Sequence, residues 1–188
     1  MGRPAPQIRD AGPQDAPSLL QLWADTARGA ESSPRALEDA ERALAGIAAS
    51  PDERLIVAEV EGRLVAALQL TRGPISPLVR DSVVHTSFLL VDPAHRRHGY
   101  AHALMEVAVS WAEEKGVTQM TAFADSNRET NRFLARLGLV TLATVRHTST
   151  TSLRKHLSAE RSRVSGSNRH LVEVLAQRRS MRRRQSAS

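Results

Sequence analysis

The sequence predicts an α/β fold in which helices flank a mixed β-sheet. A short strand and two helices are expected first, a β-hairpin follows, and a strand–helix–strand unit occupies residues 82–124. In such a unit the two strands run parallel, and the helix crosses over one face of the sheet. The chain of 188 residues is long enough to bury one hydrophobic core.

The first half of the chain contains clear start and stop signals. Residues 7–12 favour a short strand, and Pro13 opens a helix whose leucines fall at helical spacing. Pro34 begins a second helix, which should end near Ala49 because Pro51 cannot continue it. The segments expected next are a hairpin of strands 54–60 and 63–71 with a Glu61-Gly62 turn, a loop at 73–77 and a strand at 82–91.

The second half alternates helices and strands. Gly116 and Gly138 each follow a run of helical periodicity, which is where a left-handed residue ends a helix. The expected elements are a helix at 98–115, a strand at 117–124, a helix at 127–137 and a final strand or hairpin at 139–153.

Composition excludes several classes of site. The chain contains no cysteine, which excludes a disulfide framework, a thiolate metal site and a cysteine nucleophile. Its first residues lack the apolar segment of a signal peptide, and no stretch approaches eighteen apolar residues. We therefore expect a cytoplasmic protein with no membrane partner.

The positive charge is confined to the end of the chain. Residues 1–157 balance 18 basic against 18 acidic residues, whereas residues 158–188 carry eight arginines and two glutamates, a difference of +6. We therefore predict a folded domain at 1–157 and an Arg-rich C-terminal extension at 158–188 that is partly helical or disordered. Three interpretations of the extension stay open: a solvated appendage, a salt-sensitive contact to nucleic acid, or a helix that docks on a partner subunit.

A basic, glycine-containing helix start follows the long strand, between Val91 and Ala101. The first amides of a helix have no internal partner and lie at the positive end of the helix dipole, so they bind phosphate. Gly99 allows a ligand to approach the backbone, and Arg96 and Arg97 add positive charge. A solvated helix end is the alternative interpretation of this pattern.

These residues carry a family resemblance. Arg96-x-x-Gly99-x-Ala101 matches the (Q/R)xxGx(G/A) motif of the GNAT acetyltransferases, and it follows a strand that ends in Val-Asp-Pro, as in that family. The opening Ile-Arg-Asp-Ala and the segment 127–139 also resemble GNAT sequences. The likeness covers residues 7–153.

The resemblance implies a GNAT fold, a mixed sheet with splayed parallel strands, that binds acetyl-CoA as cosubstrate. The pyrophosphate would rest on the helix start, and the pantetheine arm would pair with the strand edge at 89–91. That pairing requires this strand to splay from the one at 118–124. The residues implied in cofactor binding are Leu89, Leu90, Val91, Arg96, Arg97, His98, Gly99, Tyr100, Ala101, His102, Asn127, Phe133 and Leu134.

Acetyl transfer to an amine needs a base, an oxyanion donor and an acid for the departing thiolate. Where many GNAT members have a glutamate on the long strand, this chain has His85, a candidate base at neutral pH or a residue that shapes the substrate site. By alternation His85 should share a face with Val83, Ser87 and Leu89. The resemblance implies that a backbone N–H near residues 90–91 stabilises the oxyanion.

The usual family acid, a tyrosine of the late helix, is replaced here by Leu134. Tyr100 is the only tyrosine and lies in the phosphate loop, where it is badly placed for this role, and Ser126 is a conceivable substitute. Either another group or water protonates the thiolate, or catalysis is weak, or the protein binds acetyl-CoA without turning it over.

Other side chains carry weaker signals. His95, His98 and His102 are spaced as metal ligands could be, but a solvated turn and helix start explain them better, and we expect no metal. Trp23 and Trp111 fall on apolar faces and are predicted in the core, although Trp23 could also line the acceptor pocket.

The resemblance therefore implies an acetyl-CoA-dependent N-acetyltransferase acting on a primary amine, with a small-molecule amine slightly favoured over a protein amine. The alternatives are an acetyl-CoA-binding protein with weak or lost catalysis, and a nucleic-acid-associated protein that uses its Arg-rich extension. The sequence allows a monomer or a homodimer.

Overall fold

The computed structural model describes residues 6–26, 34–124 and 128–161 of the chain. Contacts divide the chain into two compact units, Met1–Val140 and Thr141–Ser188. The elements of the first unit are β1 (Gln7–Asp10), α1 (Ala16–Thr26), α2 (Pro34–Ala49), β2 (Glu53–Val60), β3 (Arg63–Ser76), β4 (Val79–Val91), α3 (Tyr100–Glu114), β5 (Met120–Ala122) and α4 (Arg128–Arg136).

The five strands form one mixed sheet in the order β1-β2-β3-β4-β5. Neighbours are antiparallel from β1 to β4, and β4 and β5 are parallel, connected through α3. The predicted α/β class and the central strand–helix–strand unit are confirmed. No helix in the described part of the chain is long and apolar enough to cross a membrane.

A hydrophobic layer covers each face of the sheet. On one face α3 contributes Leu104, Ala108 and Trp111, which pack on alternate residues of β2, β3 and β4. On the other face α1 and α2 contribute Leu22 and Leu44, which pack on the intervening residues. Because strand side chains alternate, each strand supplies both layers.

One salt-bridge cluster holds the start of α1 to the sheet. Arg9 of β1 donates hydrogen bonds to both carboxylate oxygens of Asp15, at 2.7 and 2.8 Å, and to Glu59 of β2. Asp15 is buried and also accepts the Gly12 N–H. The Arg9 hydrogen bond lowers the pKa of Asp15, and the burial of Asp15, which acts in the opposite direction, does not cancel it.

Two predicted boundaries in the sheet are wrong. Residues 73–76, predicted within a loop, continue β3, because β4 begins early at Val79 and pairs with them. A register irregularity between Pro74 and Ser76 accommodates the proline in the strand. The strand predicted at 117–124 shortens to Met120–Ala122, and Val117 instead bonds back to the end of α3 through its N–H and the Ala112 carbonyl.

The strand or hairpin predicted at 139–153 is also wrong. Residues 139–149 have no regular structure, and a helix, α5, occupies 150–161. Ser149 Oγ accepts the Ser152 N–H at 3.1 Å, an N-cap contact that starts this helix where the alternating pattern had indicated a strand. The helix runs through residue 157, and the domain boundary predicted there stays a prediction.

Candidate functional site

A β-bulge divides β4 into two parts. Ser87 pairs with Gln69 and Leu90 pairs with Ala67, so Phe88 and Leu89 together lie opposite Leu68. Phe88 adopts a positive φ of 52°, which a non-glycine residue rarely does.

The bulge changes which face each side chain occupies. Leu89 and Val91 pack on the α3 side of the sheet, and Leu90 packs on the α1/α2 side. His85 is opposite Thr71, on the α1/α2 side. The prediction that Leu89 shares a face with His85 is therefore wrong, because the extra residue at Phe88 resets the alternation.

The part of β4 from residue 87 to residue 91 has an open edge. β5 pairs with β4 only from Val84 to Thr86, and a last bond joins the Phe123 N–H to the Thr86 carbonyl at 2.8 Å. β4 continues to Val91, and no described strand pairs with residues 87–91 on that side. The two parallel strands thus splay as expected, which leaves a strand edge able to bind an extended ligand.

The chain then turns into α3 through two left-handed residues. Arg97 has φ 65° and Gly99, the N-cap residue, has φ 87°. The first helical hydrogen bond runs from the Ala103 N–H to the Gly99 carbonyl, so the three preceding amides have no acceptor within the helix. A Cβ built on Gly99 meets no atom within 4 Å, so the space in front of this backbone is open. Such a helix start is a fitting anion site.

Asp92 fixes the turn between the open edge and the helix start. Its buried carboxylate accepts the Ala94 N–H at 2.9 Å and hydrogen bonds from His95 and Arg63, while its own N–H donates to the Val65 carbonyl. Burial alone would raise the pKa of Asp92, but the contacts with Ala94, His95 and Arg63 outweigh it and lower the pKa.

The side chains beside the helix start hold the loop together. His98 donates from Nδ1 to the Arg96 carbonyl at 2.7 Å, and its ring stacks on Tyr100 with centroids 5.7 Å apart. Tyr100 itself is buried in the core, so its side chain is not an exposed group at the helix start. Arg96 contacts Glu129 of α4 at 3.2 Å, and His102 contacts Glu106 at 3.3 Å.

His85 is half-buried on the α1/α2 side of β4. Its Nδ1 lies 2.6 Å from the Thr121 hydroxyl on β5. Its Nε2 lies 4.0 Å from the position of a Cβ built on Gly73, and its ring centroid is 6.0 Å from that of Phe123. Thr121 and Gly73 were not anticipated, because only the strand pairing brings them to His85.

The late helix provides no exposed group at the tyrosine position. Leu134 is buried, and Phe133 packs partly buried against the α3-side core. Asn127 and Ser126 lie outside the described residues. The roles predicted for these four residues stay predictions.

A cleft of about 540 Å³ lies between α3 and β5. Its walls are mainly apolar and include Met105, Val109 and Leu137, and His102, Glu106 and Thr121 also line it. The three amides without an acceptor in the helix directly follow Gly99, and of these residues His102 also lines the cleft.

Comparison with known proteins shows the family of this chain. The model of the acetyltransferase (GNAT) family matches residues 16–139. No curated protein matches the sequence.

Three similar solved structures share the fold. A transcriptional regulator from Bacillus halodurans C-125 has a TM-score of 0.70 at 22% identity, covering 77% of this chain and 99% of that one. Glucosamine-6-phosphate N-acetyltransferase from Arabidopsis thaliana has a TM-score of 0.65 at 15% identity, covering 78% and 99%. The aminoglycoside N-acetyltransferase AAC(6')-Iy in complex with CoA has a TM-score of 0.64 at 15% identity, covering 78% and 95%.

Proposed function

Because the chain belongs to the GNAT acetyltransferase family, we propose that it transfers an acetyl group from acetyl-CoA directly to a primary amine. The observation that carries this proposal is the junction of two features: a bulged strand with an open edge that leads straight into a helix start with free amides. An extended, phosphate-bearing thioester needs both features in this order.

The residues present fit acetyl-CoA, which supplies an activated acetyl thioester when bound. The amides from Arg97 to His102 would hold the pyrophosphate, helped by the left-handed conformations of Arg97 and Gly99. The open edge at 89–91 would hold the pantetheine arm through backbone hydrogen bonds. One of the similar structures contains CoA, which is a property of that protein and motivates the assignment here.

His85 is the base in this proposal. In this proposal Nδ1 carries the proton and donates to Thr121 Oγ1, 2.6 Å away, which leaves Nε2, on the Gly73 side, unprotonated. Nε2 takes a proton from the acceptor ammonium, and the amine lone pair then attacks the thioester carbonyl. An N–H of residue 90 or 91 stabilises the oxyanion.

The thiolate leaves without a side-chain acid. Leu134 cannot donate a proton and is packed in the core. A thiol with an ordinary pKa of about 8.5 is a tolerable leaving group, so water can protonate it afterwards. As the adduct collapses, the C–S bond breaks and the second proton leaves the amide nitrogen for water, which balances the proton that the thiolate takes up. The proton held by His85 returns to solvent.

The buried Leu134 also favours one second candidate, an acetyl-CoA-binding protein with weak or no turnover. Both functions require the cofactor site, and they separate on the release of free CoA thiol in the presence of an amine. The acceptor is proposed to be a small-molecule amine, as the names of several similar structures indicate for those proteins. A cytoplasmic location is also part of this proposal.

The test is calorimetric titration with acetyl-CoA of the wild type and of two glycine variants. Gly99→Glu places a carboxylate in the anion site, whereas Gly62→Glu makes the same change at the β2–β3 turn, where φ is 78° and the space is equally open. Both variants carry the same kind of backbone strain. We expect micromolar binding that weakens at least about tenfold in Gly99→Glu alone. Equal binding by all three proteins would contradict the proposed site.

A further inference from the structure

The exposed aromatic residues of this chain gather on one side of the sheet. The sequence has only six Phe, Trp and Tyr residues. Trp111 and Tyr100 are buried in the core. Trp23, Phe88 and Phe123 are 39%, 46% and 56% exposed, and all three lie near the bulge of β4 or beside His85. A cluster of exposed apolar rings, unlike a single one, indicates a contact surface.

Trp23 and Phe88 form one continuous surface. Their ring centroids are 4.8 Å apart at an interplanar angle of 41°. Trp23 belongs to α1, which packs on the α1/α2 side of the sheet, so Phe88 also reaches that side. Phe88 does so from a strained backbone with φ 52°. We call this pair the aromatic ledge.

The ledge and the base share that side of the sheet. His85 precedes Phe88 by three residues on β4, a span of about 10 Å in an extended strand. Phe123 lies beside the imidazole from the β5 side, with centroids 6.0 Å apart. A ring on the ledge could therefore place a short-chain amine at His85 Nε2.

The residues of β3, β4 and β5 that adjoin His85 on this side carry no charge, and the first carboxylate in the same row is Glu53 of β2, opposite Thr71. The neighbours of His85 on this face of β3, β4 and β5 are Gln69, Thr71, Val83, Ser87 and Thr121. The Ser87 hydroxyl donates to Gln69 Oε1 at 3.2 Å. Two carboxylates farther along the same face, Asp15 and Glu59, are both bound by Arg9. A polycationic acceptor would meet Glu53 as the first carboxylate in this row, two strands from His85, whereas an apolar body would bury the rings.

We propose that the acceptor is an arylalkylamine, a primary amine joined by a short linker to an aromatic ring that stacks on Trp23 and Phe88. This rests on the proposed function, because it names the acceptor class for the same site.

The test compares 2-phenylethylamine with spermidine as acceptors, measured by free-thiol release with acetyl-CoA. The variants are Trp23→Ala and Phe88→Leu, which remove one ring each, and the control is Leu78→Ala, an apolar residue 93% exposed at the β3–β4 turn. In the wild type we expect kcat/KM for 2-phenylethylamine to exceed that for spermidine at least about tenfold.

Trp23→Ala should lower kcat/KM for 2-phenylethylamine roughly tenfold and leave that for spermidine and the acetyl-CoA Kd unchanged. Phe88→Leu, which lies in the bulge, should lower the ratio of kcat/KM for 2-phenylethylamine to that for spermidine. Leu78→Ala should change none of these values. Equal use of the two amines by the wild type, or an equal loss for both amines in Trp23→Ala, would overturn the proposal.

A binding measurement separates this proposal from the proposed function. 2-Phenylethylamine should change the fluorescence of exposed Trp23, seen as a difference between the wild type and Trp23→Phe. If acetyl-CoA does not bind, the acetyltransferase proposal fails, but saturable binding of the amine still supports the ledge as an aryl site. If acetyl-CoA binds and the amine gives no such change, only the acceptor proposal fails.

Discussion

The two parts of β4 differ in how completely they are paired. From Val84 to Thr86 the strand lies between β3 and β5, and two of these three residues are buried. From Ser87 to Val91 it has one neighbouring strand, a bulge and a positive φ. The paired part satisfies its backbone within the sheet and contributes core. The open part leaves backbone groups without a partner strand on one side, so one strand contributes both to the core and to the edge that we propose for the cofactor.

Deletion of Phe88 should have the largest effect, because it removes the bulge that distinguishes the open part of β4 from the paired part. With one residue fewer, Leu89 lies opposite Leu68 in a regular ladder, while Leu89 and Leu90 keep the faces they now occupy. The fold should therefore persist, with a thermal midpoint within a few degrees of the wild type. Acetyl transfer should fall about a thousandfold or more, because the bulged edge is lost.

Thermal unfolding and free-thiol release on the same sample check both halves of this prediction. Near wild-type activity in the deletion variant would show that the bulge is not part of the site. A variant that does not fold would instead show that the bulge supports the core.

His85→Gln should have the next largest effect, and it acts on the paired part. Loss of the base should lower kcat about a hundredfold, with little change in acetyl-CoA Kd, because the cofactor edge begins beyond His85. Steady-state kinetics and calorimetry measure the two quantities. Wild-type kcat in this variant would assign His85 to shaping the site and not to proton transfer.

Asp92→Asn tests what holds the end of the open part. The variant loses the ion pairs with Arg63 and His95 and should lower the free energy of unfolding by about 2 kcal/mol. Because the folded-state pKa of Asp92 is lowered from 3.8, its contribution is present above that pH and declines as the pH falls through the folded-state pKa. Denaturant unfolding between pH 7 and pH 2.5 should show a flatter acid limb for the variant. Identical limbs would exclude this role.

Thr121→Val should have the smallest effect. It removes the hydroxyl that orients the His85 imidazole, and kcat should fall about tenfold while Thr121→Ser stays close to the wild type. Long-range ¹⁵N–¹H spectra of the His85 ring should show one tautomer in the wild type and a mixture in Thr121→Val. An unchanged tautomer would mean that Thr121 does not position the imidazole.

Local signals were sufficient for much of the fold. Pro34, Gly116 and Gly138 placed helix ends within a residue or two, because these residues act on the backbone where they stand. The prediction of a strand at 139–153 was wrong. Alternating apolar residues suit a strand, but Ser149 starts a helix and no described strand pairs with this segment. A strand pattern has no structural meaning until a neighbouring strand pairs with it.

The sequence by itself determined the α/β class, the family motif at Arg96 to Ala101 and the position of His85 on the long strand, since these depend on residues close together in the chain. Only the tertiary structure decided that Phe88 forms a bulge, that Leu89 and His85 lie on opposite faces, and that Thr121 reaches the imidazole. A bulge is set by the pairing of two strands, and a side-chain contact across a sheet depends on register. Neither the bulge nor the contact can be predicted from the spacing of residues along a single strand.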